Sequence, residues 1–180
     1  MTPEYNLILD ALDSSDREKK ISLLSKLTQI TEQTVIGKMI SLLDDSDITI
    51  RGEVFSALFL NENDISEQLI KNLSSNSKNI RAFVSLILAN RNDKNAINSI
   101  ISLTNDPNGV VRSCAFSALG HLRANNIRQE IHRGIFDSNI EVKKSAAYAL
   151  TLINEEFSNE EWIELEKQKD PDLAEILKEF

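Results

Sequence analysis

Hydrophobic and polar positions along this chain recur with a period near 31 residues. The stretch "TIRGEVFSALFLN" at 49–61 returns as "VVRSCAFSALGHL" at 110–122 and as "EVKKSAAYALTLI" at 141–153. With the basic residue of each copy as position zero, the series is Lys20, Arg51, Arg81, Arg112 and Lys143. Seven residues later stand Leu27, Leu58, Leu88, Leu119 and Leu150, and three residues later Leu23, Val54, Val84, Ala115 and Ala146. One residue earlier are Ile50, Ile80, Val111 and Val142, with Lys19 the exception. Offsets of three and four residues fall on one face of an α-helix, so each copy predicts a helix with a buried stripe. A further helix precedes each one, its last apolar anchor being Leu12, Leu43, Leu73, Leu103 or Ile135. Start signals accompany several boundaries: Thr2 with Pro3, Asp64 with Glu67, Ser158 with Glu161, and Asp170 with Pro171.

These patterns predict an all-α chain, a right-handed α-solenoid of about six helical hairpins. It is read as one repeat domain over 1–180, with repeats near 2–31, 32–62, 63–92, 93–123 and 124–156. Residues 157–180 lack the basic position but keep Trp162, Ile163, Leu165, Leu173, Ile176, Leu177 and Phe180 at helical spacing. They read as a degenerate terminal cap, since the last unit of a stack must present a polar face to water. Charge supports this. The formal charge of −8 is concentrated in 151–180, where ten acids oppose three lysines; the other 150 residues are nearly balanced. A near-neutral body predicts no nucleic-acid partner, because phosphate binding requires concentrated positive charge.

The turn and helix in "DDSDITIRGEVFSAL" and "DPNGVVRSCAFSALG" resemble the HEAT-like repeat of the phycobilisome lyase type, over roughly residues 2–157. The resemblance implies an inter-repeat hydrogen-bond ladder between turn aspartates and the repeated basic residue. The matching residues are Asp45 or Asp47 with Arg51, Asp106 with Arg112, and Asp137 with Lys143; Arg81 follows "SSNSKNI", which holds no aspartate, so an interruption is expected there. It also implies that the second helices line a concave surface.

Candidate chemistry is sparse. HEAT-like deoxyhypusine hydroxylase holds iron through His-Glu pairs, whereas His121 here precedes Leu122 and His132 precedes Arg133. HEAT-like DNA glycosylases need a basic groove that this charge balance does not supply. No catalytic, cofactor or metal site is expected, and Cys114, the only cysteine, reads as packed and inert rather than as a bilin or redox thiol. No apolar run approaches the ~20 residues of a membrane span, and the acidic start has no secretion-signal character, so a cytoplasmic protein without a membrane partner is expected.

The arc opposite the buried stripe, at offsets +2, +5 and +9, is mostly small and polar. Its middle is not: Leu60, Phe83 and Leu86, with His121 and Tyr148, form a candidate apolar strip for a protein partner. Phe83 and Leu86 equally fit a packing role between neighbouring helices. A second candidate surface is basic: Arg123, Arg128, His132 and Arg133, placed to dock an acidic segment or simply to face water. The expectation is a non-catalytic protein-interaction scaffold, monomeric or weakly dimeric. The alternative, from the repeat subtype, is an accessory or catalytic subunit of a bilin lyase-like enzyme.

Overall fold

A computed structural model describes residues 3–124 and 127–178; the expected cap at Thr2 and anchor at Phe180 lie outside them. Among the described residues there are twelve α-helices and no strand. They are α1 (Pro3–Asp13), α2 (Arg17–Leu24), α3 (Gln33–Ser41), α4 (Ile48–Phe59), α5 (Ser66–Asn72), α6 (Lys78–Asn90), α7 (Ile97–Leu103), α8 (Gly109–His121), α9 (Arg128–Gly134), α10 (Ile140–Ile153), α11 (Asn159–Glu166) and α12 (Pro171–Leu177). Two compact units divide the chain, Met1–Leu88 and Ala89–Phe180. In the first, α1 packs on α2 and α3, α3 on α4 and α5, and α2 on α4; in the second, α8 packs on α7 and α10, and α10 also on α9 and α12.

Each helix that carries a basic position begins with the same two-step cap. The residue six before the basic position accepts the N–H of the residue four before it, at Ser14 (3.1 Å), Asp45 (2.8 Å), Ser75 (3.3 Å), Asp106 (2.8 Å) and Asp137 (2.8 Å). The residue four before then caps the helix through its own side chain: Asp16, Asp47, Ser77, Asn108 and Asn139. First-turn N–H groups have no partner within a helix, so side-chain acceptors stabilise its start. The expected capping box of Ser158 and Glu161 and the Asp170–Pro171 start are both present. Asp64 departs from expectation. It accepts the Ser66 N–H at 3.2 Å, but α5 starts after Ile65 with no side-chain cap. Helix ends are also periodic: Asn92, Arg123 and Asn154, each eleven residues after the basic position, adopt the left-handed conformation that closes a helix C-terminus.

Burial follows the apolar stripe. All five +7 leucines are buried, as are the four −1 residues and Val54, Val84, Ala115 and Ala146. The first copy departs. There α2 ends at Leu24, which is fully buried, while Leu23 is half-buried, because the polar run "REKK" leaves this short helix little apolar surface to dock. The five first-helix anchors, Leu12, Leu43, Leu73, Leu103 and Ile135, are buried without exception.

Two glycines set helix approach in the second unit. A Cβ on Gly120 would stand 2.7 Å from the Cα of Ala149, and one on Gly134 would stand 2.6 Å from the Cβ of Ala146 and 2.7 Å from Cζ of Phe116. Gly37 is the opposite case, an exposed mid-helix glycine in α3 with open space around it. Gly37→Ala is expected to stabilise the first unit by about 0.5–1 kcal/mol, since alanine lowers the entropic cost of ordering the helix. A chemical-denaturation midpoint that does not rise would contradict this.

Candidate functional site

Phe83 and Leu86 sit half-buried on α6, and together with Ile48, Arg51, Gly52, Phe55 and Ser56 of α4 they line an open groove of about 510 Å³. The rings of Phe55 and Phe83 meet edge to face, with centroids 6.3 Å apart and planes at 76°. Ile48, at the start of α4, is 74% exposed beside them. Gly52 deepens the groove, since no side chain stands between Ile48 and Ser56 on that face. The backbone spacing explains the grouping: Ile48, Gly52 and Phe55 are successive residues on one side of a helix, as are Phe83 and Leu86. Sequence reasoning missed Ile48 and Phe55 because it followed offsets +2, +5 and +9; their i, i+7 spacing across Gly52 was the available signal.

The other expected strip residues stand elsewhere. Leu60 is exposed but forms the C-cap of α4, outside the groove lining. His121 and Tyr148 belong to the second unit, where their rings make an edge contact at 6.2 Å and 66°. A further open cavity of about 470 Å³ lies between α11 and α12, lined by Trp162, Leu165, Leu173 and Leu177 among others; the helical spacing of these residues predicts only a terminal cap.

The repeated arginine has a two-part geometry. Its Nη1 donates to the carbonyls six and five residues before it: Asp45 and Ser46 for Arg51 (2.7 and 3.1 Å), Ser75 and Asn76 for Arg81 (2.7 and 3.1 Å), Asp106 and Pro107 for Arg112 (2.9 and 3.3 Å). The remaining fork of Arg112, Nε and Nη2, binds both carboxylate oxygens of Asp137 at 2.7 and 2.8 Å. The resemblance implies an inter-repeat ladder with Asp106 matched to Arg112: Arg112 bonds the Asp106 carbonyl, the Asp106 carboxylate accepts the Asn108 N–H in its own turn, and the inter-repeat ion pair is made with the aspartate 25 residues later. Lys20 stands in the same relation to Asp45, at 3.8 Å, while Arg17 binds Asp47 at 2.6 Å. Lys143 pairs with Glu164 rather than with Asp137. Burial alone would raise the Asp137 carboxyl, but hydrogen bonds from Arg112 and the Asn139 N–H outweigh it and hold the group below the usual carboxylate range.

Three members of the basic candidate surface meet carboxylates of the chain itself. Arg128 pairs with Glu155 at 2.9 Å, His132 Nδ1 lies 2.6 Å from Glu161, and Arg133 pairs with Glu130 at 3.2 Å. Arg123 occupies the left-handed position that ends α8. An acidic segment docking there would compete with these carboxylates for Arg128, His132 and Arg133.

Cys114 is half-buried on α8, and desolvation pushes its thiol up to about 11. Because the thiolate is the nucleophile, alkylation of the native protein at pH 8 is expected to run roughly 100-fold slower than that of an exposed thiol. Equal rates for native and denatured protein would contradict this. Among the described residues no group of three or more His, Cys, Asp or Glu is placed to hold a metal ion, and no helix is long and apolar enough to cross a membrane.

No protein-family model matches the chain, and no curated protein matches it. Solved structures do. One is the complex of CpcE and CpcF of phycocyanin lyase from Nostoc sp. PCC7120, at TM-score 0.60 and 20% identity over 98% of this chain and 74% of that one. A designed armadillo repeat protein in complex with the peptide (KR)4 matches at TM-score 0.54 and 18% identity over 96% of each chain. An engineered protein matches at TM-score 0.59 and 15% identity over 99% of this chain and 97% of that one. At these identities the likeness is one of fold, and the fold is that of helical-repeat solenoids.

Proposed function

We propose that this HEAT-like repeat protein is a non-catalytic scaffold that holds a segment of a partner protein in the groove between α4 and α6. The observation that carries the reading is the groove itself, an aromatic pair with Ile48 and Leu86 open to solvent. Apolar side chains left half-exposed in a concave setting are the usual anchors of protein recognition. The designed armadillo protein that holds a peptide supports segment binding as something this fold can do. The test is affinity capture from the native lysate by wild type and by Phe83→Ser/Leu86→Ser, with circular dichroism to establish that both are folded. Scaffold binding predicts a protein retained by wild type and lost from the variant; equal retention by both contradicts a role for the groove.

The alternative is an accessory or catalytic subunit of a bilin lyase-like enzyme. It is supported by the likeness to the CpcE and CpcF complex across nearly the whole chain. A bilin that co-purifies, with visible absorbance on the folded protein, favours this reading; a colourless protein that gains no absorbance on incubation with a bilin counts against it.

A further inference from the structure

The groove between α4 and α6 borders a gap in the ionic ladder, and that gap carries information about what fits there. Arg51 and Arg112 are anchored identically, each through Nη1 to the carbonyls six and five residues before it. At Arg112 this pose presents Nε and Nη2 to the carboxylate of Asp137, the first residue of the next two-step cap. The residue at the corresponding place after Arg51 is Ser75, whose hydroxyl makes the turn bond to the Ser77 N–H but offers no negative charge. Among the described residues the Nε and Nη2 of Arg51 have no hydrogen-bond partner, and Arg51 forms no ion pair. The two repeats are joined nearby by a neutral donor instead, Asn79 Nδ2 to Asp44 Oδ1 at 2.8 Å. Arg51 also lines the apolar groove beside Phe55, Phe83 and Leu86.

An arginine fork already fixed in a carboxylate-binding pose loses little freedom on pairing and favours bidentate acids. We infer that the occupant of the groove is a protein segment that sets a carboxylate, from Asp, Glu or a free C-terminus, on the open fork of Arg51 and adjacent apolar side chains against Phe55, Phe83 and Leu86. The inference rests on the groove being the binding site. It selects against basic segments, which would meet the Arg51 charge without a compensating acid.

A random-peptide display library, selected in parallel on wild type, Ser75→Asp and Ser75→Asn, tests it. Wild type and Ser75→Asn are expected to enrich peptides with an acidic residue or free C-terminus next to apolar residues. Ser75→Asp supplies the missing internal carboxylate, and it should raise the thermal midpoint of the protein and weaken the acidic peptides by about 10-fold or more. Peptides with apolar residues but no acidic preference, or acidic peptides bound equally by Ser75→Asp, would overturn the inference and leave the groove reading standing. Enrichment that survives Phe83→Ser/Leu86→Ser, or no enrichment at all, would overturn both.

Discussion

Leu119→Ala is expected to lower the stability of the second unit by about 2–5 kcal/mol, and Gly120→Ala, one residue further along α8, by about 1–3 kcal/mol. The two act in opposite senses. Leu119 is fully buried, and its truncation removes methyl groups that the neighbours cannot replace. Gly120 admits the backbone of α10: a Cβ there would meet the Ala149 Cα at 2.7 Å and its Cβ at 2.8 Å, so the helices must separate. Alanine ordinarily gains up to about 1 kcal/mol over glycine inside a helix, which is smaller than the overpacking cost. Urea denaturation followed by far-ultraviolet circular dichroism measures both changes; a Gly120→Ala protein as stable as wild type would show that α8 and α10 do not approach this closely.

Asp137→Ala is expected to cost about 2–4 kcal/mol at neutral pH, somewhat below the range for a fully buried ion pair. The side chains of Arg112 and Asp137 are 16% and 14% exposed, so water screens the pair only partly. The substitution also removes the acceptor of the Asn139 N–H and leaves the arginine fork unpaired. The pH dependence has a definite sign. The Asp137 carboxyl is held below its unfolded value, so its contribution is complete above about pH 4, the ordinary aspartate range, and disappears as pH falls through the lower folded value. The stability gap between wild type and Asp137→Asn should therefore be widest near neutrality and should close in acid. A gap that is constant with pH would mean that the carboxylate charge contributes nothing.

The stripe at −1, +3 and +7 was legible because two periodicities coincide: a helix repeats its face every three to four residues, and the chain repeats the helix about every 31. The two-step cap was not legible as a motif, although it recurs in all five copies. Aspartate, serine and asparagine fill the same role there, and a search by residue identity does not see a shared acceptor. Long-range pairing was likewise hidden. The acids that meet Arg128 and His132, Glu155 and Glu161, lie in later sequence, and a local charge count finds only the bases. The groove was half legible. Phe83 and Leu86 follow from the exposed arc, while Phe55 sits one position from its assumed edge, and Leu60, which the same arc selects, falls on the helix cap.

The most direct test of the groove is photocrosslinking with p-benzoylphenylalanine placed at Phe83 and, as control, at Leu7, an apolar residue of the same unit that is 70% exposed but outside the groove lining. In native cells the groove probe should yield a discrete crosslinked protein that disappears when Leu86→Ser is added, while the Leu7 probe should not yield it. The same product from both positions, or from neither, would contradict a binding role for the α4–α6 groove.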